Sequence, residues 1–283
     1  MKRSRKSPIT SKPLGPATTS KIRSKYTRRI IRKHHTLLKE QARLESELAK
    51  NRDEEKAKRL EQIKHEIQAN GGLDRYQQAS ISGQDRDRGG DSSKVLVSWL
   101  KSQEDGSLSG LRLLEVGSLS PDNAVSTCGI FSDIDRIDLH SQHPLIREQD
   151  FLKMAIPTDT KEKFDVISLS LVVNYVANPA DRGEMLRRTV KMLRKSTSES
   201  STGLLPGLFL VLPAPCTNNS RYFTEQRLCD IMVSLGYSLR HRKETSKLVY
   251  WYWAVAGPST NRKFKKQLLN DGRVRNNFTI TLD

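Results

Sequence analysis

The chain has 283 residues, with 49 Lys and Arg against 32 Asp and Glu, for a formal net charge of +17. No apolar run approaches the roughly 20 residues of a membrane span, and no signal peptide is visible. Three cysteines (Cys128, Cys216, Cys229) without metal-ligand spacing read as reduced thiols. Membrane-spanning chains, disulfide scaffolds and cysteine metal centres are therefore not expected, and the length suits one ordinary domain with extensions.

The charge is uneven. Residues 1–80 carry 21 Lys/Arg against 9 Asp/Glu, and residues 258–283 carry 6 against 2. Residues 81–257 are nearly balanced, at 22 against 21. Basic ends on a neutral body predict a polyanionic partner or a nuclear address, and a solvated charged tail is the plain alternative.

Residues 1–36 hold 12 Lys/Arg, no acid and three prolines, and are expected to be a disordered basic arm. Its clusters at residues 2–6 and 28–33 suit phosphate contacts, which add salt-sensitive affinity without sequence information. Residues 37–91 read as a helical extension and a Gly-rich linker. Leu37, Leu44, Leu48, Leu60, Ile63 and Ile67 fall at helical spacings, and residues 51–53 break the run into a hairpin. Asn70-Gly71-Gly72 closes it. Between the two Gly-Gly pairs, Gly83-Gln84 is a candidate ligand-facing loop.

Residues 92–256 have the order of a doubly wound α/β sheet followed by an antiparallel hairpin. A helix is predicted near residues 95–100. Leu111, Leu113, Leu114 and Val116 form a short buried strand, and Gly117 follows with turn-prone residues. A second strand over 134–139 carries Asp138 near its end, 21 residues after the glycine. In such sheets the glycine lets a nucleoside ligand approach the backbone, and the acid accepts from the ribose hydroxyls. A dinucleotide site needs two further glycines, but positions 119 and 122 are Leu and Asp, and an Asp there repels phosphate. A Glu115-x-Gly117 turn instead suits S-adenosyl-L-methionine, whose tail carries an ammonium group. A chance glycine and acid at strand ends is the plain alternative.

Asp150, after a short strand end, is placed to accept an adenine amine, or serves as a loop or N-cap residue. A fourth strand begins near Phe164, and its exit carries Asn174 and Tyr175. These are the catalytic candidates, an amide to hydrogen-bond a base and a ring to stack on it. The alternative makes Asn174 a cap and Tyr175 core. A helix over 182–194, a surface Ser/Thr loop at 196–202, a fifth strand near 208–212 and a helix near 223–235 follow. The hairpin spans residues 237–255, and residues 257–283 read as a basic tail.

Five segments together resemble the fungal 25S (large-subunit) rRNA adenine-N(1) methyltransferases: GGLDRYQQASISGQ, LLEVGSLSPDNAVS, DRIDLHSQHPLIREQDFLKM, FDVISLSLVVNYV and LFLVLPAPCTNNSRY. Animal relatives of that family include an S-adenosylmethionine sensor of the TOR pathway. The resemblance implies a Rossmann-like class I methyltransferase fold with S-adenosyl-L-methionine as cofactor. It places the family's cofactor contacts on Gly117 and Asp138. It further implies large-subunit rRNA or a pre-ribosomal particle as partner, a nuclear and nucleolar location, and methyl transfer to an adenine N1 during ribosome biogenesis. No membrane, no metal and a monomeric state are expected. The Asp/Asn-Pro-Pro-aromatic motif that serves exocyclic amines is absent after strand four, which argues against an N6 product. Two other classes stay open: a sensor that binds the cofactor without transfer, and a dehydrogenase, disfavoured by the missing glycines.

Overall fold

The computed structural model describes residues 17–72, 90–102, 108–141, 143–195, 203–260 and 262–283. The basic cluster at residues 2–6, the Gly83-Gln84 loop and the Ser/Thr loop at 196–202 lie outside the described residues. Helix α1 (Ala17–Leu48) and helix α2 (Glu54–Ala69) form the expected hairpin. Asp53 caps α2, its side chain accepting from the Lys56 amide, and Asn70 closes it before Gly71 and Gly72, both at positive φ. Leu37, Leu44 and Ile63 make a small core of their own between the two helices.

The arm expected to be disordered through residue 36 is helical from Ala17. The reason is local. Pro8, Pro13 and Pro16 all precede that point, and neither Pro nor Gly follows until after Leu48. Lys and Arg cost a helix little, and near the segment's end Lys33 Nζ donates to Asn70 Oδ1, at the close of α2, at 2.9 Å.

The domain that follows is one mixed sheet, ordered β3-β2-β1-β4-β5-β7-β6. Its strands are β1 (Leu111–Val116), β2 (Phe131–Asp138), β3 (Arg147–Glu148), β4 (Val166–Ser170), β5 (Gly207–Pro213), β6 (Tyr237–Glu244) and β7 (Leu248–Val255). Pairing is parallel from β3 to β5, and β7 runs antiparallel to both β5 and β6. The predicted hairpin is therefore present, with its second strand inserted between β5 and β6.

Each face of the sheet buries its own cluster. On one, Leu113, Val166, Phe209 and Tyr252 pack with Leu96 and Leu100 of α3 (Ser93–Lys101) and Val125 of α4 (Ala124–Thr127). On the other, Leu114, Ile167, Leu210 and Trp251 pack with Met185 of α5 (Pro179–Met192) and Ile231 of α7 (Glu225–Ser234). Helix α5 starts three residues before the predicted 182, because Asn178 caps it through the Ala180 amide and Pro179 fits the first turn. The Pro213-Ala214-Pro215 exit ends in a short helix α6 (Pro215–Asn218).

The domain does not end at residue 256. Phe264, Phe278, Ile280 and Leu282, from the stretch read as a basic tail, belong to the second cluster. Gly183 of α5 admits this segment, since a Cβ there would overlap the Thr281 carbonyl oxygen. The charged residues of 257–283 hid an apolar alternation, Phe278-Ile280-Leu282, whose burial is worth about 1.5–3 kcal/mol per side chain.

Candidate active site

Strand order reverses between β1 and β4, and in such sheets ligands bind outside the strands' carboxyl ends at that point. Four exits meet there. Gly117 leaves β1 at φ +75, and its amide donates to the Ile137 carbonyl of β2 at 2.8 Å. A Cβ on Gly117 would lie 2.5 Å from Val172 Cγ2, so the turn is pressed against the exit of β4. Leu171, beside Val172, has φ 58, which a leucine adopts only under constraint from its surroundings. Ser170, the last residue of β4, shares a 2.8 Å hydroxyl contact with Ser92 at the start of α3.

Glu115 is turned into the protein. Its carboxylate accepts from Asn123 Nδ2 at 2.6 Å and Ser118 Oγ at 3.0 Å, and Arg136 Nε lies 3.6 Å away. Burial pushes its pKa up, while the Asn123 and Ser118 hydrogen bonds and the Arg136 charge pull the other way. Both oxygens are thus engaged in shaping the loop from 118 to 123. Asp91 does the same from outside: one oxygen accepts from the Ala124 amide at 2.6 Å, the other from the Ser93 amide at 2.8 Å. Sequence reasoning named neither Asp91 nor Ser92. The available signal was an Asp-Ser-Ser run directly after Gly89-Gly90, a helix-start pattern.

Asp138 ends β2 half-buried, and its Oδ1 accepts from the His140 amide at 2.9 Å. Its carbonyl accepts from the Gln149 amide at 2.8 Å, which sets Asp150 one residue beyond, at the exit of β3. Asp150 Oδ1 accepts from the Leu152 amide at 2.9 Å, the loop role weighed above. Backbone hydrogen bonds thus tie Gly117 to β2 and Asp138 to the exit of β3, so that Gly117, Asp138 and Asp150 occupy three adjacent exits.

Asn174 and Tyr175 lie on the fourth. The Tyr175 amide donates to the Val172 carbonyl at 2.9 Å, closing a turn. Asn174 Oδ1 is enclosed and has no hydrogen-bond partner among the described residues. An amide oxygen left in that state costs about 1–3 kcal/mol, and six other buried polar atoms share that state among the described residues. Behind Asn174, buried Arg182 donates to the carbonyls of Val176 (2.8 Å), Ala177 (3.1 Å) and Thr279 (2.5 Å), and its guanidinium lies 4.6 Å from the Phe278 ring centroid. Burial lowers its pKa to about 10. The loop carrying Asn174 is thereby fastened to the tail. Among the described residues no group of three or more His, Cys, Asp or Glu side chains could hold a metal ion.

The exits carry carboxylates and a bare glycine turn, and no Lys or Arg lies between residues 115 and 123. Such a set fits a ligand with ribose hydroxyls and an ammonium group better than one with a pyrophosphate. The chain is 42% identical to the 25S rRNA adenine-N(1) methyltransferase of Schizosaccharomyces pombe over 89% of its length and 90% of that protein. It is 38% identical to the 25S rRNA (adenine(2142)-N(1))-methyltransferase of Saccharomyces cerevisiae, over 78% of this chain and 63% of that one. Among solved structures, the N-methyltransferase NodS of Bradyrhizobium japonicum, in complex with S-adenosyl-L-homocysteine, is 14% identical. The match covers 56% of this chain and 85% of that one, with a TM-score of 0.37. Residues 61–280 match the family described as 25S rRNA (adenine(2142)-N(1))-methyltransferase, Bmt2, and the chain belongs to that family.

Proposed function

We propose that this protein is an S-adenosyl-L-methionine-dependent enzyme that methylates the N1 of one adenine in large-subunit rRNA, acting in the nucleolus during ribosome biogenesis. The observation that carries the reading is the 42% identity to a protein of that name across nearly the whole of both chains. S-adenosyl-L-methionine supplies an electrophilic methyl on a positively charged sulfur. Gly117 gives it a side-chain-free turn, Asp138 accepts from its ribose, and Asp150 accepts from its adenine edge. Glu115 serves that site from below, by holding the turn in shape.

The adenine N1 lone pair is already a nucleophile, so no strong base is required. The protein's work is to accept an extruded base and align it. As the methyl group joins N1, positive charge spreads over N1, C6 and N6, and the N6 hydrogens become more acidic. An acceptor facing N6 therefore binds the transition state more tightly than the ground state. The enclosed Asn174 Oδ1 is our candidate for that acceptor, and Tyr175 for the stacking ring. The basic N-terminal clusters supply phosphate contacts and the nuclear address. A sensor that binds the cofactor without transfer gains no support from the relatives, both named for methyl transfer.

The test is transfer of labelled methyl from S-adenosyl-L-methionine to unmodified large-subunit rRNA, naked and in pre-ribosomal particles. Label is expected as 1-methyladenosine. Asp138→Ala should weaken cofactor binding by on the order of 1.5–3 kcal/mol and abolish the signal at low cofactor concentration. Cofactor binding by calorimetry with no label on either substrate would overturn the reading.

A further inference from the structure

Some arginines of the sheet domain are paired with carboxylates. Arg112, Arg136, Arg147, Arg187, Arg194 and Arg242 each lie 2.5–3.6 Å from a carboxylate. The tail holds six cations, Arg262, Lys263, Lys265, Lys266, Arg273 and Arg275, and none forms an ion pair with a described carboxylate. Two of them rest on rings, Arg262 over Phe264 at 4.8 Å and Lys266 over Tyr222 at 4.2 Å. Lys263 and Lys265 are exposed on either side of buried Phe264, and Arg273 is exposed as well.

The backbone beneath these charges is fixed. Arg221, in the loop after α6, donates to the Gly272 carbonyl (3.0 Å), the Arg273 carbonyl (3.0 Å) and Asn277 Oδ1 (2.6 Å). Its own carbonyl accepts from the amides of Leu269 and Asn270. Further along, Thr279 meets Arg182, and the Thr281 amide donates to the Pro179 carbonyl. Residues 269–281 therefore run from the segment after β5 to the start of α5, which follows the exit of β4, and Phe264 pairs with Leu282 beside that end.

We propose that the docked tail is an RNA-backbone surface, on which Lys263, Lys265 and Arg273 contact phosphates flanking the target adenine. The proposal rests on the rRNA reading above. A base seated beside Asn174 is joined on both sides to phosphates, which must pass over the docked tail. Cations held there without acidic partners keep their full charge for the nucleic acid, and each phosphate neutralised releases condensed counterions. Contacts of this kind set the strand's position without reading its sequence. An acidic protein would satisfy the charges equally, but nothing about it would require their place beside the crevice.

The experiment uses full-length protein with Lys263→Gln, Lys265→Gln and Arg273→Gln combined. The probe is an unmodified large-subunit rRNA transcript, titrated at several salt concentrations. The expected result is a slope of log affinity against log salt shallower by roughly 2, and affinity at low salt down by about tenfold or more. Cofactor affinity and thermal midpoint should be unchanged, because the three side chains are exposed. An unchanged slope and affinity would overturn the tail's role and point to an acidic protein surface instead. Wild-type protein that binds cofactor but shows no salt-dependent binding to the transcript would overturn the rRNA reading itself.

Discussion

Both ends of this chain are basic extensions by composition, yet they relate to the domain in opposite ways. The N-terminal hairpin buries Leu37, Leu44 and Ile63 between its own two helices. Some of its charges are traded within it: Arg59 bridges Glu40 at 2.9 Å and Glu66 at 3.0 Å, and Lys56 reaches Glu47 at 3.0 Å. The C-terminal tail has no core of its own and spends its apolar residues on the domain's. Net charge says little about such a difference. What decides it is where the few large apolar side chains can be covered.

The sharpest way to break the comparison is to stop the chain after Asn277. Phe278, Ile280 and Leu282 are 7%, 1% and 2% exposed, and removing them uncovers the α5 and α7 face of the sheet. At about 1.5–3 kcal/mol each, the loss is comparable with the whole stability of an ordinary domain, about 5–15 kcal/mol. The truncated protein should be largely unfolded or insoluble, seen as loss of the cooperative thermal transition. A soluble, cooperatively melting product would show that the tail is an ornament.

A smaller effect is expected from Arg182→Met, which keeps the bulk and removes the donors to Val176, Ala177 and Thr279. Buried acceptors stripped of a partner cost about 1–3 kcal/mol each, so a fall of about 3 kcal/mol or more is expected from chemical denaturation. Arg182→Lys should recover part of it, because an ammonium reaches fewer of the three carbonyls. If the clamp positions the Asn174 loop, the Lys variant should also lose turnover more than cofactor affinity. Equal losses in both would mark Arg182 as a purely structural group.

The parts legible in the sequence were those with local signals. The strand-glycine-strand-acid run from Leu111 to Asp138 announced its own geometry, and so did the helical hairpin and the Gly71-Gly72 stop. The unread parts depend on distant partners. Nothing near Arg182 in sequence says that it will meet Thr279, and nothing near Glu115 says that Ser118 and Asn123 will consume its oxygens. The tail was misjudged because six cations outweighed three alternating apolar residues in a count, although burial energy weighs them the other way. Leu171 could not be foreseen either, since a positive φ at leucine arises only when packing imposes it.

The hairpin supplies the smallest expected effect on stability. Among the described side chains of α1 and α2, no apolar residue joins either cluster of the sheet. Deleting residues 1–69 should therefore leave the domain's unfolding free energy within about 1 kcal/mol of the full chain, since surface charge contacts contribute about 0–1 kcal/mol. Cofactor affinity should hold as well, because the proposed cofactor contacts Gly117, Asp138 and Asp150 are tied to one another by strand-exit hydrogen bonds from within the sheet domain. RNA affinity should fall, because the basic clusters go with the deleted segment. A domain that melts far lower without the hairpin would mean that the two ends are bound to the sheet alike, and that the small α1–α2 core depends on the domain for its order.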